Sequence, residues 1–87
     1  MARDLTLLEL AKVERLHAAQ NRAEARAFRL EAAKHRIEAI EDSEYFVFAG
    51  RSERYAADLI ESARAHDRAA AELMNRAERG EVHYSYD

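Results

Sequence analysis

Four histidines are the side chains that could most readily do chemistry in this chain, because imidazole carries protons and binds metals near neutral pH. Glu14 and His17 have the Glu-x-x-His spacing used by two-metal centres in helical bundles, and Glu78 could approach them across a hairpin. Such a centre needs several carboxylates directed inward. The sequence has a single Glu-x-x-His, and its heptad position directs Glu14 away from the predicted seam. We therefore expect no metal site and no cofactor.

The remaining candidate groups also lack a catalytic pattern. His66 falls on the apolar side of a predicted helix, which is typical of a hydrogen-bonded core histidine. No serine lies in a nucleophile-elbow motif, no glycine-rich loop could hold a phosphate, and no carboxylate pair lies in a recognisable cleft. The sequence therefore predicts a protein that is not an enzyme and has no catalytic residues.

The composition indicates one small globular domain spanning residues 1–87. Hydrophobic residues make up 48% of the chain, but 19 of them are alanines, which bury little surface. A chain of this size usually needs additional support, and the absence of cysteine excludes disulfides. We therefore expect support from a partner subunit. The net charge of −3 argues against a strong nucleic-acid binder.

The expected location is the cytoplasm, without membrane contact. No stretch of the sequence approaches the roughly 20 apolar residues that a membrane span requires. The first residues lack the basic-then-apolar pattern of a signal peptide, and the cysteine content gives no sign of an oxidising compartment.

A long helix is predicted over about residues 7–41. Thr6 and Glu9 have the spacing of a capping box, in which the threonine hydroxyl accepts a hydrogen bond from the Glu9 backbone N–H. The chain has no proline and its first glycine is Gly50, so nothing obliges this helix to stop. The polar residues around Asn21 are its weakest point, and a break there would give three helices instead of two.

Seven-residue periodicity divides this helix into stripes. Larger apolar residues recur on one side, and we interpret them as the buried seam of an antiparallel pair: Leu16, Ala23, Leu30 and Ile37, with Val13, Gln20, Ala27 and Lys34 beside them. Alanines recur on the opposite side, where we interpret them as helix formers on an exposed face: Ala11, Ala18, Ala25, Ala32 and Ala39. Arginines form a flank, interpreted as ion-paired and solvated: Arg15, Arg22, Arg29 and Arg36.

A second helix is predicted over about residues 53–79. Ser52 is its expected N-cap, and Gly80 suits the left-handed position after its last turn. Its apolar stripe is made of small residues: Ala56, Ala63, Ala70 and Ala77. If the chain folds back near residues 46 and 47, the numbers of facing residues add up to about 93, which sets large residues of the first helix against small ones of the second.

The segments outside the helices are predicted to be extended. Residues 44–50 place three aromatics and a valine before a glycine, which favours a short strand or an extended apolar tip. The tail, residues 81–87, alternates apolar and polar side chains and is predicted to be an extended arm, with disorder as the alternative.

The predicted fold class is therefore all-α, an antiparallel two-helix hairpin with short extended tip and tail segments. Each helix buries a single stripe, so an isolated hairpin would expose apolar surface. We expect a homodimer that forms a helical bundle. An antiparallel dimer would bring the tail of one chain beside the tip of the other.

The expected function is that of a small module that binds and modulates another protein as an adaptor or inhibitor, as host-directed phage proteins do. Its support is the clustering of tyrosines, phenylalanines and arginines, which are typical of binding hot spots. The predicted partner-binding residues are Tyr45, Phe46, Phe48, Arg51, Arg54, Tyr55, Tyr84 and Tyr86. The alternatives are a structural coiled-coil subunit and a nucleic-acid-associated dimer that uses Arg22, Arg26 and Arg29.

Overall fold

Two long antiparallel helices form the described part of the protein. A computed structural model describes residues 6–81, in which α1 spans Leu7–Glu38 and α2 spans Tyr45–Glu78. Residues 39–44 form the turn between them. The molecule is elongated, with a longest dimension of 60 Å. The prediction of an all-α two-helix hairpin is confirmed.

α1 begins after the predicted N-cap residue, Thr6. The Glu9 backbone N–H donates to the Thr6 hydroxyl at 3.1 Å, and that hydroxyl donates to the Glu9 carboxylate at 3.3 Å. The first bond satisfies a backbone N–H that the first turn of a helix leaves without an intrahelical partner, and the second joins the two side chains of the predicted capping pair. The helix then continues through Asn21 without a break. The three-helix alternative is therefore wrong.

The tip of the hairpin differs from the prediction. Residues 44–50 were expected to be extended, yet α2 begins at Tyr45. In a helix, Tyr45 and Phe48 lie one turn apart on the same side, where both rings pack on His35. These contacts outweigh the strand preference of aromatic and β-branched residues, which depends strongly on context. Ser52, expected as an N-cap, is instead buried in the interior of α2.

Both helix ends near the turn also shift. α1 stops at Glu38 rather than near residue 41, and Ala39 caps it. The Asp42 side chain accepts from the Glu44 backbone N–H at 3.1 Å, which holds the turn just before α2 begins. The last turn of α2 follows the prediction, since Gly80 has φ of 92° and its N–H donates to the Ala77 carbonyl. Glycine adopts this left-handed conformation without steric cost.

The helices meet along alanines. The buried residues of α1 after its first turn are Ala11, Ala18, Ala25 and Ala32, with Ala39 beyond its end. The buried residues of α2 are Ala49, Ser52, Ala56, Ala63 and Ala70. We call these ten residues the alanine seam. The prediction for Ala56, Ala63 and Ala70 is confirmed, and Ala77 is half-buried. The interpretation of the α1 alanines as an exposed face is wrong.

The larger apolar residues of α1 lie outside instead. Leu16 is 56% exposed, Leu30 is 60% exposed and Ile37 is 69% exposed, so the prediction that they form the buried seam is wrong. The prediction was wrong because it assumed that larger apolar residues are buried in preference to alanine. Leu7, in the first turn of α1, is fully buried. Beyond that turn, alanine against alanine allows close approach of the two helices, so the interior is filled by backbone and Cβ atoms rather than by larger side chains.

The register of the hairpin is fixed by a series of contacts across it. They join His17 to His66, Asn21 to Ser62, Phe28 to Tyr55 and His35 to Phe48. The two residue numbers add up to 83 in each pair. The predicted value near 93 is wrong because the chain turns at residues 39–44 rather than at 46 and 47.

Candidate functional site

Aromatic rings cluster along one edge of the hairpin near the turn. The rings of Tyr45 and Phe48 each lie 5.7 Å from the ring of His35, and 5.7 Å from each other. Further along the same edge, the rings of Phe28 and Tyr55 are 5.4 Å apart. We call these five residues the aromatic edge. Three of the predicted partner-binding residues, Tyr45, Phe48 and Tyr55, therefore share one surface.

The other predicted partner-binding residues lie elsewhere or outside the described chain. At 3.6 residues per turn, Phe46 is rotated by about 200° from Phe48 and belongs to the opposite edge. Arg51 follows Phe48 by one turn on the aromatic-edge side, whereas Arg54 points away from the alanine seam. Tyr84 and Tyr86 lie outside the described residues. Within one hairpin, the helix therefore places Phe46 and Phe48 on different edges.

A shallow groove of about 330 Å³ lies against the aromatic edge. Phe28, Tyr55 and Leu59 provide its apolar lining, and the carboxylates of Glu24 and Asp58 border it. Sequence reasoning missed Phe28 and Leu59 as candidates. The signal for Phe28 was its seven-residue spacing from Asn21 and His35, which both contact α2.

The outer face of α1 carries a second apolar surface. We call the exposed heptad residues on this face the outer stripe: Val13, Leu16, Gln20, Ala23, Ala27, Leu30, Lys34 and Ile37. They alternate at spacings of three and four residues, the repeat by which a helix presents one side to another helix. Sequence analysis found this repeat but assigned it to the interior.

Charged residues flank the outer stripe asymmetrically. Exposed carboxylates follow one side, at Glu24, Glu31 and Glu38. The other side carries the exposed cations Lys12 and Arg26. A partner helix lying on the outer stripe would therefore meet an acidic border on one side and a partly basic border on the other.

The arginine stripe of α1 faces α2 rather than a ligand. Arg22 forms an ion pair with Asp67, and Arg36 forms one with Glu53. The hydrogen bond from Arg22 lowers the pKa of Asp67 from its usual value. The interpretation as an ion-paired flank holds for these two arginines, although their partners are on α2 and not on α1.

A cluster of ionisable side chains lies toward the open end of the hairpin. Glu14 Oε2 is 2.5 Å from His66 Nδ1, and the rings of His17 and His66 are 5.2 Å apart in an edge-to-face arrangement. The prediction that Glu14 points away from α2 is wrong, because the outer stripe was mistaken for the seam. His66 is half-buried and hydrogen-bonded, as expected for this position. Its hydrogen-bond partner, Glu14, could not be predicted without the correct register of the two helices.

Comparison with known proteins adds no relative. No family model, curated protein or solved structure matches this chain.

Neither helix, over the described residues, is long and apolar enough to cross a membrane.

The three surfaces differ in what they could bind. The outer stripe offers exposed apolar side chains at helix-pairing spacing, interrupted by Gln20 and Lys34, and the aromatic edge offers rings and a groove to a side chain or peptide. The ionisable cluster combines two imidazoles with a carboxylate, which are donors for metals and protons.

Proposed function

We propose that the protein is a non-enzymatic interaction module that dimerises through the outer stripe of α1 and binds a second protein at the tip of the hairpin. The observation that carries this proposal is the exposure of Leu16, Leu30 and Ile37, at 56%, 60% and 69%, in one heptad repeat. Single exposed apolar residues are common on monomeric proteins, whereas several of them at heptad spacing on one helix face are typical of an interface.

The outer stripe has the composition of a coiled-coil seam. Val13 begins the a positions, which continue with Gln20, Ala27 and Lys34. Leu16 begins the d positions, which continue with Ala23, Leu30 and Ile37. Gln20 and Lys34 are polar residues at a positions. Polar residues at a positions lower the stability of a coiled coil but specify its register and the number of its strands. The pattern therefore favours one defined partner over unspecific aggregation.

The flanking charges support a second copy in parallel orientation. In a parallel pair the g flank of one helix meets the e flank of the other, which sets Arg26 of one copy near Glu31 of the other. An antiparallel pair would instead set each flank against the identical flank of the other copy. Glu24, Glu31 and Glu38 would then face like charges. The antiparallel dimer expected from the sequence is therefore disfavoured by these charges.

A parallel dimer would bring two hairpin tips together. Ile40 is 83% exposed, Phe46 is 59% exposed and Val47 is 58% exposed, and all three lie at or beside the turn. Arg51 and Arg54 are exposed within two turns of these residues. Arginine is enriched at interaction hot spots, and these two arginines lie at the same end of the molecule as the exposed apolar side chains. We propose this doubled tip as the surface that binds and modulates the partner protein.

Sedimentation equilibrium at micromolar concentration tests the dimer. We expect the wild-type chain to be a dimer and the double variant Leu16→Glu with Leu30→Glu to be a monomer whose circular dichroism stays helical. The matched control is Ala65→Glu, which adds a charge at an exposed position of α2 and should remain dimeric. A wild-type chain that is monomeric throughout this concentration range would contradict the proposal.

Affinity capture tests the binding of a second protein. Phe46→Ala with Val47→Ala should abolish capture of a partner identified with the wild-type chain while leaving the dimer intact. Tyr84→Ala with Tyr86→Ala tests the tail in the same assay. If neither pair of substitutions changes capture, the tip is not the binding surface. If the dimer captures no partner, the structural coiled-coil subunit becomes the better proposal, because the outer stripe supports it equally.

Nucleic-acid association has less support. The arginine group proposed for it includes Arg22, whose guanidinium is engaged by Asp67. Arg26 lies beside the outer stripe, within the interface that the dimer would form. A salt-dependent shift of DNA or RNA by the wild-type dimer would reopen this alternative.

A further inference from the structure

We propose that Glu14, His17 and His66 form a binding site for a divalent transition-metal ion, with Zn²⁺ as the ion that the side chains suit best. The three side chains each offer one ligand atom, and these atoms all lie within 4.8 Å of one another. Two imidazoles with one carboxylate form a donor set found in three-ligand zinc sites.

The fold brings these ligands together from both helices. Glu14 and His17 are three residues apart on α1, so their side chains share one side of that helix. His66 reaches them from α2 because His17 and His66 are one of the pairs that fix the register. Glu14 also contacts His66 directly, at 2.5 Å between Oε2 and Nδ1. The cluster is therefore held by the hairpin itself and does not depend on dimerisation.

The distances suit a tetrahedral ion after small side-chain movements. Bonds of about 2.0–2.1 Å from zinc to nitrogen or oxygen place the ligand atoms of a tetrahedron about 3.4 Å apart. The contact of 2.5 Å between Glu14 and His66 would open by roughly 1 Å, and a separation of 4.8 Å would close by about 1.4 Å. His17 is exposed, and Glu14 and His66 are half-buried, so rotation of their side chains is not blocked by close packing.

The environment of the cluster favours binding over a purely structural role. The neighbouring carboxylate of Asp67 is paired with Arg22, so it is engaged elsewhere. The cluster lies on the surface, which gives an ion access from solvent. Three protein ligands leave a fourth position for water, as in zinc sites that keep an open position. Imidazole and carboxylate together suit Zn²⁺ better than Mg²⁺ or Ca²⁺, which prefer oxygen ligands alone.

The site would act as a clip between the helices. It lies far from the turn. The residues of the alanine seam nearest to the site, such as Ala18 and Ala63, have only small side chains. An ion that binds residues of both helices binds the folded hairpin and not the separated chain, so it stabilises the hairpin.

Calorimetric titration of Zn²⁺ into the untagged full-length protein tests the proposal. We expect one ion per chain. At a free Zn²⁺ concentration of about 100 times Kd, mass action should raise the melting temperature by about 10 °C or more in a domain of this size. Substitution of Co²⁺ should add visible absorption bands that report tetrahedral coordination by these ligands.

Variants locate the binding. His17→Ala, His66→Ala and Glu14→Gln should each weaken Zn²⁺ affinity by at least about tenfold, since even the outer partners of metal ligands contribute about 10- to 100-fold. Because His17 is exposed, His17→Ala keeps the test valid if His66→Ala fails to fold. Glu24→Gln is the matched control and should bind as the wild type does. Equal Zn²⁺ binding by the wild type and His17→Ala, or no binding by the wild type, would overturn the site.

Discussion

Asn21 of α1 donates a hydrogen bond across the hairpin to the hydroxyl of Ser62 on α2, with 3.0 Å between Nδ2 and Oγ. The bond lies midway along the molecule, between the ring pair of His17 with His66 and that of Phe28 with Tyr55. The alanine seam repeats every seven residues, so a slip by one heptad would preserve most of its packing. Polar pairs at defined positions specify register in helical pairs. We infer that this hydrogen bond and its neighbouring ring pairs select the observed register.

A double-mutant cycle on Asn21→Ala and Ser62→Ala measures this bond. Each single change should destabilise the hairpin by about 0.5–1.5 kcal/mol, and the double variant should lose less than the sum because the two changes remove one interaction. Urea unfolding of the four proteins gives the coupling energy. Strict additivity would show that the bond does not contribute to stability in solution.

Overpacking tests whether the alanine seam is the interior. Ala25→Leu inserts a large side chain where Ala25 is fully buried, and we expect a loss of about 1–3 kcal/mol. Ala65→Leu makes the same change at an exposed position of α2 and should alter stability by less than about 0.5 kcal/mol. Denaturant titration compares them. A tolerant Ala25→Leu would mean that the helices are not in close contact there.

Disulfide trapping distinguishes the two dimer orientations. The chain has no cysteine, so Gln20→Cys introduces a single thiol. A parallel dimer brings the two substituted a positions close enough for a disulfide, whose Cα atoms must lie about 4.4–6.8 Å apart. We expect a covalent dimer on a non-reducing gel after mild oxidation. The control, Ala65→Cys, should stay monomeric on the same gel. Absence of a Gln20→Cys dimer from a chain that sediments as a dimer would favour the antiparallel arrangement.

The two glycines should respond in opposite directions to alanine. Gly50 lies inside α2, and a Cβ atom there would meet nothing within 4 Å, so Gly50→Ala should stabilise the protein by about 0.5–1 kcal/mol. Gly80 has φ of 92°, so Gly80→Ala should destabilise it by about 1 kcal/mol. Thermal melts of both variants provide the comparison. Stabilisation by Gly80→Ala would show that the left-handed turn is not maintained in solution.

Local signals in the sequence were sufficient to predict the hairpin and the two helix ends at its open end. Thr6 with Glu9 marked the start of α1, Gly80 marked the end of α2, and seven-residue periodicity gave helices on both sides of a turn. Periodicity was insufficient for choosing which stripe of α1 is buried, because Ala18 and Leu16 belong to stripes with the same repeat. That choice depends on how closely α2 can approach, which is a property of the pair and not of α1.

The prediction of the candidate sites depended on which stripe of α1 was taken as buried. The contact between Glu14 and His66 follows from the register, and the register follows from the position of the turn. Phe46 and Phe48 were grouped in one predicted binding surface because they are two residues apart in the sequence, whereas helical geometry places them on different edges of the hairpin. The sequence showed that both residues are aromatic. Their positions on two different edges of the hairpin could be assigned only from the structure.

An interior lined by alanine has a thermodynamic consequence. Unfolding of the isolated hairpin would expose little apolar surface per residue, so its heat-capacity change and its denaturant m-value should both be low for a chain of this length. The stability of the monomer would then vary only weakly with temperature. Burial of the outer stripe would add the missing apolar area, so the large negative heat-capacity change would accompany association rather than folding.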